Sequence, residues 1–207
     1  MKITSKAGNG NKVHIYIDSE YTLTLYDDYW YLSGIAEGSE ISEDELASLK
    51  EEAGFRSAYE KGIKYLSLRA YSEKELFDKL KIKFGADTSR RAVDKMLERG
   101  YIDDEAFANE YARYLFDVKK YDIKRISFEL KTKGINAEIS DKILKTLDNE
   151  PILRIIEMLR TKYENKLDTE KERKRLVNRF IRMGYSYRDI KDAFYECGAQ
   201  MPDTKGL

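Results

Sequence analysis

Rows of basic residues are the feature of this 207-residue sequence whose types and spacing suit a defined chemistry, the binding of anionic groups. On one predicted helix, the positions i, i+4, i+8 and i+11 are occupied by Lys171, Arg175, Arg179 and Arg182, with Lys174 and Arg173 at their flank. At about 100° per residue, these four side chains fall within roughly 80° of one another, opposite an apolar stripe of Leu176 and Phe180. Such a row suits phosphate groups or a carboxylate-rich partner groove, and a solvated face partly neutralised by neighbouring glutamates explains it equally well.

A second set of basic residues lies on two consecutive predicted helices nearer the N-terminus. Its members are Lys74, Lys79, Lys81 and Lys83 on the first helix, and Arg90, Arg91, Lys95 and Arg99 on the second. We take both sets as candidate contacts to DNA or to an acidic protein surface, with the solvated face again as the alternative.

Residues that could support catalysis or bind a metal are scarce. The only His and the only Cys are His14 and Cys197, so an internal disulfide and a Cys-cluster zinc site are excluded. Cys197 occupies a repeat position shared with Leu97 and Leu147, which is typical of a small core residue. The sequence also lacks a phosphate-binding glycine loop, a nucleophile elbow and a His-Glu-x-x-His motif. We therefore expect a binding protein that has no enzymatic activity, no cofactor and no metal.

Charge is unevenly distributed, although it sums to zero over the chain. Residues 1–54 hold four Lys and eleven acidic residues, which is a net charge of −7. The net charge is +5 over residues 55–101, −2 over 102–150 and +4 over 151–207. The two basic blocks suit a polyanion. No segment approaches the ~18 apolar residues of a membrane span, and the start lacks a secretory signal, so we expect a cytoplasmic protein without membrane contact.

The N-terminal segment has the alternating pattern of β-structure. Residues 13–17 and 21–26 are rich in β-branched and aromatic residues and flank a turn, which predicts a β-hairpin. Tyr29–Leu32 is interpreted as a further extended piece. Ser42 and Glu45 have capping-box spacing, which predicts a short helix after them.

From residue 55 onwards the sequence repeats itself about every fifty residues. Four sets of apolar residues keep this step: Ala58, Ala108 and Met158; Leu76, Ile126 and Leu176; Leu80, Leu130 and Phe180; Val93, Ile143 and Ala193. A glycine follows the third set each time, as Gly85, Gly134 and Gly184. A fixed period of this length indicates an array of similar supersecondary units.

Each unit is predicted to contain three helices, which in the first copy run over about 55–68, 72–84 and 88–99. Ser72 and Asp122 stand where helix caps are needed, and the three glycines stand where a helix ends in a left-handed residue. Asp103 and Asp104 are interpreted as a helix start and not as a catalytic carboxylate pair. Tyrosines interleaved with the basic residues, such as Tyr111 and Tyr114, suit half-exposed helix faces or stacking on nucleic-acid bases.

The predicted fold is therefore mainly α: a tandem array of three three-helix repeats preceded by a small N-terminal β-hairpin segment. Its predicted divisions are 1–54 (hairpin plus short helix), 55–101, 102–150 and 151–200 (the three repeats), and 201–207 (a tail).

Four stretches carry a resemblance to a known family. They are YLSLRAYSEKEL at 65–76, GYIDDEAFA at 100–108, RISFELKTKGI at 125–135 and RMGYSYRDI at 182–190. In this order and spacing the chain resembles the RecX family, the bacterial regulators of the recombinase RecA, over about residues 55–197. The hairpin segment is similar to the N-terminal extension of Gram-positive-type members.

The resemblance implies a protein that lies along the RecA–single-stranded-DNA filament and restrains its recombination, ATPase and SOS-related activities. We expect a monomer that reaches single-stranded DNA through the filament, with direct DNA binding being weak, and whose several contacts add through effective concentration. The alternative is a DNA-binding regulator that docks helix-turn-helix-like units in a duplex groove without RecA. Salt-dependent binding to duplex alone would favour that alternative.

Overall fold

The computed structural model describes residues 1–147 and 150–202, and the chain divides into two compact units between Ile102 and Asp103. The first unit begins with an antiparallel sheet in chain order, made of β1 (Ile3–Ala7), β2 (Lys12–Ile17) and β3 (Glu20–Tyr26). Strands β2 and β3 form the predicted hairpin. Asp18 and Ser19 both have positive φ in its turn, as a tight hairpin turn requires.

One face of the sheet forms the core of this segment. Alternate side chains of the strands point inward and are buried: Ile3, Val13, Ile15, Ile17, Leu23 and Leu25. They pack with Trp30, Ile41 and Leu49 from the chain that follows. The burial of these alternating residues gives a three-stranded sheet the apolar support that a lone hairpin lacks.

The prediction that Tyr29–Leu32 forms a further extended piece is wrong. These residues belong to helix α1 (Asp27–Leu32), and the third strand of the sheet is β1. Two acidic residues at its start favour a helix there, and the Asp27 carboxylate accepts a hydrogen bond from the Asp28 N–H at 2.7 Å.

The helix predicted after Ser42 is not short. It begins with the predicted capping box, in which Ser42 Oγ accepts from Glu45 N and Glu45 Oε2 accepts from Ser42 N, and it continues as α2 (Glu43–Leu66). The boundary expected between residues 54 and 55 therefore lies inside one helix. No proline interrupts it, and Gly62 gives room to Met96, whose Cε would lie 2.2 Å from a Cβ at that position.

Helices α2, α3 (Glu73–Phe84) and α4 (Ala86–Glu98) complete the first unit around one buried cluster. Ser72 caps α3 as predicted, because its hydroxyl accepts from Glu75 N at 3.2 Å. Gly85 separates α3 from α4 with φ +76°, a conformation that a side chain would disfavour.

The second unit contains two further sets of three helices. Their bounds are α5 (Asp104–Arg113), which continues into a π-helical turn at Tyr114–Val118, α6 (Ile123–Thr132), α7 (Ala137–Leu144), α8 (Pro151–Lys162), α9 (Glu170–Arg182) and α10 (Tyr187–Glu196), with a 3₁₀ turn at Glu164–Lys166. Asp103 caps α5 by accepting from Ala106 N at 2.9 Å, and Asp122 caps α6. These contacts confirm that both residues start helices.

The fifty-residue spacing corresponds to equivalent core positions. All twelve residues of the four recurring apolar sets are 5% exposed or less. They fall in three separate buried clusters, one for each set of three helices. The predicted fold class, mainly helical with a small N-terminal sheet, is confirmed.

The two three-helix sets of the second unit are joined by specific contacts. Asp122 N donates to Met183 O at 2.9 Å, and the Tyr185 hydroxyl donates to Lys120 O at 2.9 Å. Arg154 Nη2 donates to Phe116 O at 2.7 Å, and its guanidinium lies 3.5 Å from the centroid of the Phe116 ring. These contacts place α9 at a fixed position relative to α6.

Candidate functional site: the basic faces of the helices

Helix α9 is oriented by its buried face. Thr169 Oγ1 accepts from Glu172 N at 3.3 Å and starts the helix, while Leu176, Val177 and Phe180 are 3% exposed or less. The Phe180 ring makes edge-to-face contacts with the rings of Tyr163 and Tyr185. Because this face is fixed in the core, the opposite face of α9 is directed to solvent.

The four residues of the predicted row lie on that solvent face. Lys171, Arg175, Arg179 and Arg182 are all exposed. Arg175, Arg182, Asn178 and Ile181 line a shallow depression of about 340 Å³ on this face. The structure thus brings the row together as the spacing predicted.

Within the part of the chain that the structure describes, internal partners engage two members of this row. Arg175 Nη1 forms an ion pair with Glu172, and the Arg179 guanidinium lies 5.4 Å from the centroid of the Tyr163 ring. Among the described residues, no carboxylate forms an ion pair with Lys171 or Arg182. These two residues are therefore the members of the row best placed to bind an external anion.

The flanking basic residues of α9 have internal roles. Arg173 Nη1 donates to the carbonyl oxygens of Leu167 and Asp168 at 2.6 and 3.0 Å, which holds the loop before the helix. Lys174 is half-buried and interacts within the chain.

Most of the basic residues on α3 and α4 are neutralised by nearby carboxylates. Lys74 pairs with Asp78 at 2.8 Å, and Lys95 pairs with Glu98 at 2.7 Å. Arg90 pairs with Glu73 at 2.8 Å and Asp94 at 2.7 Å, while Arg91 pairs with Glu51 at 3.3 Å and Glu52 at 2.8 Å. An external phosphate would have to compete with these pairs.

The ion pairs of Arg90 affect its protonation equilibrium. Partial burial acts to lower the pKa of Arg90, but hydrogen bonds to Asp94 and then to Glu73 outweigh it, so the pKa is raised above its ordinary value. Arg90 is therefore held charged between two carboxylates of its own chain, which indicates a structural role.

The remaining lysines of α3 do not form one row. Lys79 lies 5.0 Å from the Tyr65 ring centroid, Lys81 lies 5.7 Å from that of Phe77, and Lys83 lies 5.2 Å from that of Phe84. Lys79 and Lys83 are separated by about 40° around the helix, whereas Lys81 lies about 160° from Lys79. The remaining candidate lysines of α3 are thus distributed over two faces of that helix.

A cleft in the first unit was not predicted from the sequence. It has a volume of about 410 Å³ and is lined by three aromatic, three basic and three acidic residues: Tyr26, Phe55, Tyr59, Arg56, Lys95, Arg99, Asp28, Glu52 and Glu60. Arg56 bridges Asp28 and Glu52 across part of it, at 2.6 and 3.0 Å. Its residues come from β3, α1, α2, α4 and the position directly after α4, so no local pattern in the sequence could reveal it.

The two residues considered for catalysis have local partners. His14 Nδ1 lies 2.8 Å from Thr24 Oγ1 on the sheet, and Cys197 packs partly buried against the core of the last three helices. Within residues 1–147 and 150–202, no three His, Cys, Asp or Glu side chains are grouped to hold a metal ion. No helix in the same ranges is both long and apolar enough to cross a membrane.

These features define a class of protein: consecutive three-helix units that follow an N-terminal sheet, with an exposed row of basic residues on α9. Comparison with known proteins shows which family this chain resembles. A family model described as RecX, first three-helix domain, matches residues 58–105, and one described as RecX, second three-helix domain, matches residues 103–144. The chain is therefore similar to RecX proteins over two consecutive three-helix domains.

Full-length relatives show the same similarity. The regulatory protein RecX of Caldanaerobacter subterraneus is 29% identical over 192 residues, covering 91% of this chain and 94% of the relative. That of Clostridium botulinum strain Eklund 17B is 25% identical over 201 residues, covering 94% of each chain. That of Bacillus licheniformis is 26% identical over 207 residues, covering 98% of this chain and 78% of the relative.

Two crystal structures share the fold. A structure of regulatory protein RecX superimposes with a TM-score of 0.64 at 19% identity and covers 94% of this chain and 98% of its own. The structure of RecX from Lactobacillus salivarius gives a TM-score of 0.53 at 22% identity and covers 70% of this chain and 97% of its own. At these identities the likeness concerns the fold alone.

Proposed function

We propose that this protein is a non-enzymatic regulator that binds the RecA–single-stranded-DNA filament and restrains its recombination, ATPase and SOS-related activities. The observation that carries the proposal is similarity to two RecX domains and, over nearly the whole length of this chain, to curated relatives named regulatory protein RecX. We propose that it acts in the cytoplasm as a monomer.

The exposed row of α9 is the physical support for this function. Lys171 and Arg182 lack a carboxylate partner among the described residues, and Arg175 and Arg179 lie between them on the same face. Cations arranged along a helix are suited to the phosphates of a nucleoprotein filament or to its acidic side chains. We propose the α9 row as the principal contact, and the candidate residues of α3 and α4 as secondary contacts.

We also propose that residues 55–101, 102–150 and 151–200 act as three repeats of one binding unit. A protein with several such units would contact several subunits of a filament at once. Weak contacts then combine through effective concentration, without requiring high affinity in any one unit.

The test is RecA ATPase activity on single-stranded DNA with and without the protein. The expected result is a decrease that saturates as protein is added, together with tighter binding to the filament than to free RecA or duplex DNA. Unchanged ATPase activity and strand exchange would contradict the proposal. Salt-sensitive binding to duplex alone with equal affinity would favour the helix-turn-helix-like alternative.

A further inference from the structure

The outward face of the N-terminal sheet is a second surface that neither the basic rows nor the RecX family models account for. It lies outside residues 58–144, which those models match. The strand register places eight residues on this face, opposite the buried one: Thr4, Lys6, Lys12, His14, Tyr16, Tyr21, Thr24 and Tyr26. The set contains three tyrosines, one histidine, two lysines and two threonines.

The rings on this face form a connected group. The Tyr21 ring lies 6.0 Å from the centroids of both His14 and Tyr16, edge-to-face in each case. Thr24 Oγ1 lies 2.8 Å from His14 Nδ1 and 3.0 Å from the Tyr21 hydroxyl. Tyr21 is 60% exposed, so a large part of its ring is accessible to a ligand.

The cations on this face lie beside the rings. Lys6 Nζ is 4.9 Å from the Tyr16 ring centroid, and Lys12 Nζ is 5.5 Å from that of Tyr26. Both lysines are exposed, and none of the eight outward positions carries a carboxylate. The segment of residues 1–54 has a net charge of −7, yet none of its eleven acidic residues occupies one of these positions.

Acidic residues lie around the margins of this face: Glu20 begins β3, and Glu37 accepts hydrogen bonds from Ser5 N at 2.9 Å and from Ser5 Oγ at 2.5 Å on the edge strand β1. Asp18, in the hairpin turn, accepts a hydrogen bond from Lys2 N at 2.8 Å, and Asp28 is paired with Arg56 beyond Tyr26. Because Arg56 is neutralised in this way, we count only Lys6 and Lys12 as cations available to a ligand on this face.

We propose that this face binds single-stranded DNA directly, with unpaired bases stacking on Tyr16 and Tyr21 and the phosphates contacting Lys6 and Lys12. Rings interleaved with cations are the chemistry of single-strand binding surfaces, because every base has a face that can stack. An acidic protein groove would account for the lysines but not for the tyrosines. In duplex DNA the bases are already stacked in pairs and are not available to the rings. The choice of DNA over RNA rests on the proposed function, in which the protein meets single-stranded DNA.

The test uses the full chain and a fluorescent oligothymidylate of twenty nucleotides, without RecA. We expect binding in fluorescence anisotropy that is tighter than binding to a duplex of the same length. Replacing Tyr16 and Tyr21 together by Ala should weaken it on the order of tenfold or more, whereas replacing both by Phe, which keeps the rings, should preserve it. Tyr31→Ala is the matched control, since Tyr31 is 77% exposed in α1 of the same unit.

The lysines provide an independent measurement. Lys6→Ala with Lys12→Ala should reduce the slope of log affinity against log salt by about 1.4, at about 0.7 per lost phosphate contact to a single strand. Lys50→Ala with Lys64→Ala removes the same charge from exposed positions of α2 and should leave the slope unchanged. Circular dichroism verifies that each variant remains folded.

Three results would overturn the inference: no binding of the wild-type chain to the oligonucleotide, equal binding to duplex, or full binding by the tyrosine-to-alanine variant. Failure here is distinguishable from failure of the proposed function. Inhibition of RecA ATPase without oligonucleotide binding would overturn only this inference, whereas oligonucleotide binding without any effect on RecA would overturn only the proposed function.

Discussion

At the scale of single residues, Gly184 is the position where geometry is most restrictive. Its φ is +100°, and a Cβ there would lie 2.7 Å from Arg125 Cβ and 2.9 Å from Arg125 N. Gly184→Ala therefore combines backbone strain with a steric clash at the contact between α6 and the end of α9. We expect a loss of stability on the order of 3 kcal/mol, measured by urea unfolding.

Gly85→Ala is the matched control for that measurement. Gly85 also has positive φ and follows the equivalent helix of the first repeat, but a Cβ there would meet no atom within 4 Å. Its cost should be only that of the backbone conformation, about 2 kcal/mol, because φ +76° with ψ 172° is a region almost restricted to glycine. Equal losses of stability in the two variants would show that the clash with Arg125 adds nothing to the cost of Gly184→Ala.

Tyr185 causes the stability of the second unit to fall at alkaline pH. Burial raises the pKa of Tyr185 above its ordinary value, against an opposing hydrogen bond from Arg154. Above about pH 10 the Tyr185 hydroxyl therefore loses its proton in the unfolded chain before it does so in the folded protein. The free energy of unfolding falls as the pH rises towards the folded-state pKa. Below pH 10 this residue contributes no pH dependence.

The measurement is urea unfolding of the wild-type chain and Tyr185→Phe at pH 8 and pH 10.5. The variant loses the hydrogen bond to Lys120 O and should be less stable at pH 8, but its stability should decline less between the two values. Parallel declines in the two proteins would contradict the assigned role of Tyr185.

At the scale of helices and strands, the charge of the α9 face is the central prediction. Lys171→Glu with Arg182→Glu should weaken filament binding at least tenfold and reduce its salt dependence, because these are the cations without an internal carboxylate partner among the described residues. Both side chains are exposed, so the fold should change by no more than about 0.5 kcal/mol. Filament affinity at several salt concentrations provides the measurement.

A charge-matched control lies on the neighbouring helix α10. Arg188→Glu with Lys191→Glu makes the same change in net charge at exposed positions outside the row. If this control weakens binding as strongly as the α9 variant, the effect is one of overall charge and the α9 row is a solvated face.

The elements also show how far sequence reasoning extends. The fifty-residue step predicted the buried anchors, and cap chemistry predicted the helix starts at Ser72, Asp103 and Asp122, because both depend on local patterns. Strand β1 was missed because Ile3 is its only large apolar residue, and its pairing with β2 is decided by tertiary contact.

The same distinction applies to the candidate site. The α9 row follows from helical periodicity and was predicted correctly as an exposed face. The neutralisation of Arg90 by Glu73, and of Arg91 by Glu51 and Glu52, was not predictable, since these partners lie 17 to 40 residues away in the sequence. The rings and lysines of the sheet face were also missed, because only the register of three strands brings them together.

At the scale of the whole molecule, the two proposed surfaces belong to different compact units and have different chemistry. The sheet face of the first unit offers rings and two lysines to unpaired bases, whereas α9 of the second offers a row of cations. A chain with zero net charge gains little from nonspecific attraction to DNA, so binding has to depend on such local surfaces. Two separate contacts to one filament would explain how a neutral protein binds it.

This arrangement predicts multiplicative effects on filament affinity. We expect the chain that combines Tyr16→Ala and Tyr21→Ala with Lys171→Glu and Arg182→Glu to lose affinity by the product of the two separate losses. Sites that share no contacts add in free energy to within about 0.5 kcal/mol, which is roughly twofold in affinity. The measurement is equilibrium binding of all four proteins to preassembled filaments at one salt concentration. A combined variant no weaker than the more affected parent would contradict this prediction, because it would show that the two surfaces do not contribute independently to filament binding.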